Sequence, residues 1–350
     1  MKISIYPWLI DAWNQLDAMR SRLPHALLLS GAPGIGKRVL AESFGQSLLC
    51  EANTPGGDAC GACGACHWFA EGNHPDYRLV IPEILQTETE PRTDGADAMP
   101  TDNGGAKSKS APSKVIKIGQ IRALDGFFSI GTHRAGRRVL LVYPADCLNA
   151  DASSALLKTL EEPPPDTHFL LVTSRPYELL PTIRSRCAKV VIAPPPRESM
   201  LAWLAAQGVN DPASALAEAG GAPLTVVADQ SGAAARKILI DALSSDAAMD
   251  PVSLAEKCEK AGIPSLTLWL TRWVGDLLFC AGGGDVRYHP RERKVLAKRA
   301  AHMHPGQLHA YYRRLTRMRR VADHPLNARL VAEDLLIDYA RLAATPNKNA

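Results

Sequence analysis

Short apolar runs recur through the first two hundred positions, and segments with helical spacing separate them. The runs lie at residues 26–29, 137–142, 169–174 and 190–192. Apolar runs without alternation are typical of strands that are buried on both faces of a sheet. Between them, residues 39–49 and 153–162 have the spacing of helices, and the second has a Ser or Asp cap and ends at prolines. Strands that alternate with helices predict a parallel sheet with helices on both faces.

After a run of three prolines at 194–196, the pattern is helical to the end of the chain. Residues 197–207 and 213–219 are predicted helices, and helical spacing continues beyond them. Trp269 and Trp273 lie four positions apart within a wide apolar face. We therefore predict that these two side chains share one helix face and pack in a core.

The composition adds little that is unusual. The chain has 350 residues, enough for two or three domains, with 46% hydrophobic and 22% charged residues and a net charge of +4. This charge permits contact with nucleic acid without arguing for it. No apolar run approaches the ~18 residues of a membrane span, and the first residues lack the pattern of a signal peptide, so we expect a cytoplasmic protein. Residues 87–113 are polar and rich in Gly, Pro and Ser, which predicts a disordered surface insertion.

One segment near the start of the sequence has a phosphate-loop pattern with its last position changed. The sequence Gly-Ala-Pro-Gly-Ile-Gly-Lys-Arg follows a predicted strand and precedes a predicted helix, as the pattern G-x-x-x-x-G-K-[S/T] requires. Gly31, Gly34 and Gly36 would let backbone N–H groups surround an anion, and Lys37 would reach the outer phosphates. Arg38 replaces the Ser or Thr whose hydroxyl binds Mg²⁺, and a guanidinium offers a metal no acceptor.

The strand at 137–142 lacks the carboxylates of an active nucleotide site. In a phosphate-loop ATPase this strand ends in Asp, which holds the Mg²⁺ shell, and a Glu often follows it. Here the two positions are Tyr143 and Pro144, and Asp146 lies three positions away. With the arginine of the loop, these changes predict no hydrolysis. The loop glycines and Lys37 are nevertheless retained, so weak nucleotide binding without turnover stays open. We expect Lys37→Ala to change little.

Four of the eight cysteines are closely spaced, in the pattern C-x9-C-x2-C-x2-C. They are Cys50, Cys60, Cys63 and Cys66. Four such thiolates predict a structural zinc site, and an iron–sulfur cluster stays open as the alternative. Gly61 and Gly64 occupy the two short intervals, where we expect tight turns. The module at residues 50–66 would fasten a loop and do no chemistry.

Two further stretches carry a resemblance to a known family. Residues 155–164 form the proline-stopped helix ALLKTLEEPP, and the sequence Arg-Ser-Arg-Cys at 184–187 precedes the last predicted strand. With the cysteine module, they resemble the bacterial clamp-loader subunits of DNA polymerase III, which belong to the AAA+ class. Residues 326–336 are similar to the last collar helix of that family. Because it lacks these carboxylates, the chain resembles the delta-prime branch of the family rather than its gamma/tau motor branch.

The resemblance implies a role for Arg186. This residue matches the arginine finger of the family, which projects into the ATP site of a neighbouring motor subunit. Arg184, expected on a loop, is a weaker candidate, and a solvated surface arginine is the alternative for Arg186. Where motor members carry a sensing arginine, this chain has Leu224, which agrees with a silent site. The implied partners are gamma/tau and delta subunits in a hetero-oligomeric ring, with the sliding clamp and primer–template DNA reached through it.

Pattern and resemblance together predict three domains. An AAA+ phosphate-loop domain over residues 1–194 would contain the zinc module and the insertion. Residues 195–232 would form a small helical lid, and residues 233–345 a helical collar for oligomerisation. The expected function is that of a non-motor clamp-loader subunit with a structural Zn²⁺ and with weak ATP or ADP binding at most.

Two other functions stay open. An active ATPase motor of the gamma/tau kind would use the phosphate loop, and a zinc-dependent nucleic-acid-binding protein would use the cysteine module. Five arginines between 313 and 320 follow Tyr311 and Tyr312 and invite the second interpretation. One charged run is weak evidence, so we expect this helix to be solvated or to contact other subunits.

Overall fold

The structure is a computed structural model, and it describes residues 3–86, 112–133, 136–228, 230–245, 249–322 and 326–344. Contacts divide the chain into two compact units, with the division between Ser199 and Met200. The predicted insertion at 87–113 lies outside the described residues except for its last two positions. There, Ser113 donates its backbone N–H to Glu83 Oε2 at 2.9 Å, and Ile84 N donates to Ser113 O at 3.1 Å. The insertion therefore leaves and rejoins the fold at one place.

The first unit is built on one parallel sheet of five strands. Its strands are β1 Ala26–Ser30, β2 Tyr77–Val80, β3 Arg138–Val142, β4 Thr167–Thr173 and β5 Ala188–Val191. They are arranged in the order β2-β3-β4-β1-β5. Leu28 in the central region of the sheet lies opposite Leu171 on one side and Lys189 on the other. The predicted parallel sheet is confirmed.

Eight helices accompany this sheet among the described residues of the first unit. They are α1 Ile10–Ala18, α2 Lys37–Leu49, α3 Gly64–Ala70, α4 Glu83–Gln86, α5 Ile118–Arg122, α6 Asp125–Ser129, α7 Ala150–Glu161 and α8 Pro181–Arg186. Alternate residues of β1 enter different cores. Leu27 and Leu29 pack with Phe44 of α2, and Leu28 packs with Leu156 of α7 on the opposite face. Helices thus cover both faces, as predicted, and every residue of β1 is buried.

Two local predictions in this unit are wrong. The cap of α7 is Asn149, whose Oδ1 accepts the N–H of Ala152 at 2.7 Å, and not the Ser or Asp that we expected. Arg184 lies in α8 rather than on a loop, because Pro181 takes a position in the first turn of that helix, where its missing N–H costs nothing. α7 thus starts earlier than the sequence pattern indicated, and α8 is a helix that the pattern did not predict.

The second unit is helical throughout its described residues. Its helices are α9 Arg197–Ala206, which begins just before the division, α10 Pro212–Glu218, α11 Pro223–Ala228, α12 Gln230–Ser244, α13 Pro251–Cys258, α14 Gly262–Ala281, α15 Arg293–His302, α16 Pro305–Val321 and α17 Ala328–Ala344. Trp269 and Trp273 of α14 are buried in its main core, as predicted. The Trp273 indole donates to Tyr339 Oη of α17 at 2.7 Å, which satisfies two buried polar groups at once.

A buried carboxylate fixes the connection after α14. Asp276 is fully buried and accepts backbone N–H groups from Arg287, Tyr288 and His289 at 2.7–3.1 Å. His289 Nδ1 lies 2.9 Å from the same carboxylate. Although burial opposes the charge, these hydrogen bonds together lower the pKa of Asp276. Nothing in the apolar pattern of α14 predicted this contact.

A separate small apolar cluster lies near the start of the second unit. Met200, Leu204 and Leu216 form it, and α10 and α11 contribute side chains to it or around it. Arg272 of α14 donates to the backbone oxygens of Glu218 and Ala219 at the end of α10. A cation at a helix C-terminus is favourable, because the last carbonyl groups there have no partners within the helix. The three-domain division stays a prediction.

Candidate functional site: phosphate loop, cysteine cluster and helix-end arginine

The phosphate loop lies at the carboxyl end of β1, between that strand and α2. Lys37, at the first position of α2, is only 4% exposed. Its Nζ donates to the backbone oxygens of Gly31 at 3.0 Å and Ala32 at 2.5 Å, and to Ser174 Oγ at 2.8 Å. Ser174 is close because β4 neighbours β1 and both strands end at the same edge. The ammonium group that we expected to reach phosphates is therefore bonded to its own loop.

Burial also changes the charge of this lysine. Removal from water lowers the pKa of Lys37 to about 8, against the opposing charge of Asp146. The ammonium is consequently less firmly charged than that of an exposed lysine. Two of its three hydrogen bonds join the ammonium group to its own loop, and the third joins it to Ser174.

The glycines of the loop are needed for packing. Gly36 has φ +93°, and a Cβ there would lie 2.5 Å from the ring of Tyr6. A Cβ on Gly31 would lie 2.8 Å from the backbone oxygen of Ile192, which follows β5. Tyr6 stacks on Trp8, whose indole donates to Ile35 O at 2.9 Å. The segment before α1 thus packs directly on Gly36, and the crowding at Gly31 and Gly36 gives these two glycines a reason to be retained without any nucleotide.

The side of the loop that would face a metal ion is occupied by paired side chains. Arg38 forms an ion pair with Glu42 at 2.7 Å, and its guanidinium lies 5.6 Å from the centre of the Tyr143 ring. Asp146 accepts from Thr173 Oγ1 at 2.6 Å and pairs with Arg175 Nε at 2.9 Å. Each of the two carboxylates is therefore already engaged with a group of this chain.

The four clustered cysteines converge on one point. Their Sγ atoms all lie within 4.8 Å of one another. Cys50 and Cys63 are 3.9 Å apart, and Cys60 and Cys66 are 4.0 Å apart. A tetrahedral ion with Zn–S bonds of about 2.3 Å separates its sulfurs by about 3.8 Å. These distances are far too long for a disulfide, and they fit a single four-coordinate metal ion.

Backbone N–H groups support the sulfurs. Cys60 N donates to Cys50 Sγ at 3.2 Å, and Ala62 N and Cys63 N donate to Cys60 Sγ. The latter two bonds, that of Ala62 first, lower the pKa of Cys60 to about 6. Burial raises the pKa of Cys66, so a thiolate there needs the positive charge that a metal ion supplies.

One of the two glycine predictions in this module is confirmed. Gly61 has φ +74°, a backbone conformation that residues with a side chain rarely adopt, and it turns the chain between Cys60 and Cys63. Gly64 instead starts α3, and Cys63 caps that helix by accepting the N–H of Cys66 at 3.4 Å. The second interval is therefore a helical turn, which also brings positions three apart onto one face.

The module is fastened to the sheet domain by Arg20. Its guanidinium donates to Gly57 O at 2.9 Å and to Ser47 Oγ of α2 at 3.0 Å. It also pairs with Asp17 of α1 at 2.9 Å. One arginine thus joins the loop between the first two cysteines to two helices of the first unit.

Arg186 is the last residue of α8, and its side chain is 35% exposed. Its Nη1 donates to Thr182 O at 3.1 Å, and its Nη2 lies 2.5 Å from Glu161 Oε1 at the end of α7. Two positions earlier, the Arg184 guanidinium lies 5.4 Å from the centre of the ring of Tyr177, which is 88% exposed. The helix end therefore presents two guanidinium groups and an aromatic ring.

Sequence reasoning missed several residues that form these sites. Ser174 could have been found, because it follows the strand that neighbours β1. Tyr6, Trp8 and Glu161 had no such signal, because they reach their positions only through packing between elements that are distant in sequence.

Two family models match most of the chain. The family model described as "DNA polymerase III, delta subunit" matches residues 10–196, and "DNA polymerase III, delta subunit, C terminal" matches residues 230–341. A DNA polymerase III subunit delta' from Pseudomonas aeruginosa is 37% identical over 284 residues, which are 78% of this chain and 77% of that protein. The chain belongs to the delta-prime family of DNA polymerase III subunits. The resemblance found from the sequence is thereby confirmed.

A second delta-prime protein matches along almost the whole chain. The subunit delta' of Escherichia coli K12 is 30% identical over 342 residues, which are 95% of this chain and 94% of that protein. Among solved structures, a DNA polymerase III gamma subunit-related protein from Thermotoga maritima has a TM-score of 0.49 and 16% identity. It covers 95% of this chain and all of that one. The fold assignment rests on the sheet and the family, since this score is too low to support it. In the part of the chain that the structure describes, no helix is long and apolar enough to cross a membrane.

Proposed function

We propose that this chain is the non-motor delta-prime subunit of a DNA polymerase III clamp loader, acting in the cytoplasm. In this role it joins gamma/tau motor and delta subunits in a ring that loads the sliding clamp on primed DNA. Its own contribution to the chemistry is Arg186, given in trans to the ATP site of a neighbouring motor subunit. The delta-prime relatives, which match up to 95% of the chain, support the assignment.

The observation that carries this proposal is the placement of the Arg186 guanidinium. It stands at the end of α8, partly exposed, with one hydrogen bond at Nη1 and one ion pair at Nη2. Since a guanidinium has five N–H groups, three of them remain to bind phosphoryl oxygens. Negative charge develops on these oxygens during transfer, and an arginine supplied in trans typically accelerates the reaction by about 10³–10⁵.

We infer that the chain's own phosphate loop is catalytically silent. Lys37 is held by loop oxygens, Arg38 stands where a hydroxyl would bind Mg²⁺, and Asp146 is paired with Arg175. Binding of ATP or ADP would have to displace these contacts, so it is weak and occurs without turnover. The loop in this proposal is a structural element.

We also propose that Cys50, Cys60, Cys63 and Cys66 hold a structural Zn²⁺. Sulfur distances of 3.9 and 4.0 Å support a single ion rather than an iron–sulfur cluster, whose several irons need more widely spaced ligands. When bound, the ion cross-links the loop at residues 50–66 and neutralises its thiolates. All four positions are taken by protein sulfur, so substrate has no access to the metal.

The assignment is tested with Arg186→Ala in the reconstituted clamp loader. We expect total DNA-dependent ATP hydrolysis to fall by more than twofold while the complex still assembles, because the site that receives the finger loses its rate enhancement of about 10³ or more. Assembly is checked by gel filtration of the same sample. A rate within twofold of the wild type contradicts the assignment.

An active ATPase is the second candidate, and the retained glycines and Lys37 favour it. Phosphate release by the purified chain with Mg²⁺ and ATP separates the two. We expect no release above the background of a Lys37→Met control. Steady release that the control lacks supports the second candidate.

A further inference from the structure

The last residues of α7 and α8 meet on the surface of the first unit. Glu161 Oε1 lies 2.5 Å from Arg186 Nη2, and the two side chains are 44% and 35% exposed. Thr182 O, one turn earlier in α8, accepts from Arg186 Nη1 at 3.1 Å. The guanidinium therefore has two fixed partners on two different helices.

Stability alone does not account for this ion pair. An exposed pair typically contributes little to folding, because solvent screens it and both side chains lose freedom. What the pair does achieve is orientation. A free arginine side chain samples many rotamers. When a ligand fixes one of them, the side chain loses conformational entropy, and this loss weakens the interaction with that ligand.

Glu161 is suited to hold the guanidinium because its own backbone is fixed. It is the last residue of α7, and prolines at 163–165 keep that helix from continuing. α7 is anchored in the core through Leu156 and Leu160, both 1% exposed. The carboxylate therefore extends from a rigid helix end toward another rigid helix end.

We propose that Glu161 is the positioning residue of Arg186, which keeps the guanidinium aimed outward with three N–H groups free for the phosphoryl oxygens of a neighbouring ATP. This proposal rests on the proposed function of Arg186. Glu161 does not touch the substrate. It limits the orientations that the Arg186 side chain can adopt, so that the guanidinium is more often in the productive one. Its effect is therefore on the rate of the chemical step and not on the affinity for ATP.

The experiment uses the whole reconstituted clamp loader with Glu161→Ala, and Glu162→Ala as the matched control. Glu162 is the next residue, is also exposed, and forms no ion pair among the described residues. We expect Glu161→Ala to lower the Arg186-dependent part of kcat about tenfold, with KM for ATP unchanged, because orienting a free arginine costs roughly that factor. Glu162→Ala should stay within twofold of the wild type. Glu161→Gln, whose amide oxygen still accepts a hydrogen bond, should recover most of the rate.

A double variant separates positioning from an independent effect. In the Arg186→Ala background, adding Glu161→Ala should lower the rate no further, because there is no guanidinium left to orient. If the two losses multiply, Glu161 acts on something other than Arg186 and the proposal is overturned. A wild-type rate for Glu161→Ala overturns it too, and a faster rate overturns it in favour of an inhibitory contact.

The failure of this proposal is distinguishable from failure of the proposed function. If Arg186→Ala alone leaves hydrolysis unchanged, the trans role of Arg186 fails, and Glu161 has nothing to position. If Arg186→Ala is slow and Glu161→Ala is not, only the positioning role fails. Gel filtration of each complex and thermal unfolding of each isolated chain exclude loss of assembly or folding as the cause.

Discussion

Lys37 illustrates how one residue can keep its place in a motif while its role changes. The phosphate-loop pattern indicates a lysine that reaches out to phosphates. In the structure the same side chain is buried and its three hydrogen bonds join the loop to the end of β4. Our expectation that Lys37→Ala would change little therefore does not extend to stability.

Removing this ammonium group should destabilise the protein. Lys37→Met keeps most of the volume but leaves the Gly31 and Ala32 oxygens without their donor, so we expect the free energy of unfolding to fall by about 1–3 kcal/mol. Urea denaturation measures it. The control is Lys189→Met, since Lys189 is exposed on β5 and should be within about 0.5 kcal/mol of the wild type.

The lowered pKa of Lys37 predicts how this difference depends on pH. The folded-state pKa is about 8, below the ordinary 10.5, so between these values the unfolded chain binds more protons than the folded one. Stability contributed by this group therefore rises with pH across that window. We expect the wild type to gain about 1–2 kcal/mol over Lys37→Met between pH 7.5 and 9.5. A difference that stays constant or shrinks would contradict the burial of a charged amine.

The cysteine module is the element whose structure we expect to depend on a bound metal ion. Backbone N–H groups donate to its sulfurs, and its loop between Cys50 and Cys60 is joined to the helices through Arg20 and Trp13. Cross-linking by a metal ion would constrain this segment far more than these contacts do. We therefore expect the module to be the first part of the chain to lose its structure when the metal ion is removed.

Zinc removal should lower the thermal stability of the chain. We expect one zinc per chain by elemental analysis, and less than a tenth of that in Cys60→Ser. If the ion contributes about 3 kcal/mol, its loss lowers Tm by about 6–12 °C for a unit of this size. Cys280→Ser, which changes a cysteine of α14 outside the cluster, should keep both the zinc and the Tm. Iron in place of zinc would refute the assignment of the metal.

At the scale of the whole molecule, part of the positive charge on α16 is paired within the second unit. Arg314, near the start of the basic run of α16, pairs with Asp334 and Asp338 of α17. Tyr311 of the same run is buried, and its hydroxyl donates to Leu335 O at 2.7 Å. These contacts join one face of α16 to α17, while the other four arginines of the run are exposed. Our interpretation of this helix as solvated or in contact with other subunits stays a prediction.

The isolated chain should consequently bind nucleic acid weakly. For single-stranded DNA at 150 mM salt we expect a Kd in the range of non-specific binding, about 10⁻⁴–10⁻⁶ M, and no change in Cys60→Ser that cannot be traced to unfolding. Fluorescence anisotropy with a labelled oligonucleotide measures it. Tight binding that Cys60→Ser abolishes in a folded chain would favour the zinc-dependent nucleic-acid-binding alternative.

Much of the architecture could be predicted, because it depends on residues that are close together in the sequence. Buried strands such as β3 and β4 are continuous apolar runs, and the turn at Gly61 and the prolines after α7 follow from backbone sterics alone. The start of α7 was less predictable, because Asn149 competes with nearby Asp and Ser residues that cap about equally well. The pairing of Arg186 with Glu161 could not be predicted, since it joins two helix ends that are 25 positions apart.

The sequence by itself determined the parallel sheet, the four-cysteine centre, the absence of the metal-binding carboxylates and the family. These depend on residue type and short spacing, which the chain carries wherever it folds. Only the tertiary structure decided that Lys37 closes its own loop, that Tyr6 packs on Gly36, and that Glu161 holds Arg186. Each of these contacts joins distant segments, and the physical reason is that burial and hydrogen-bond distance are set by packing between elements and not by order along the chain.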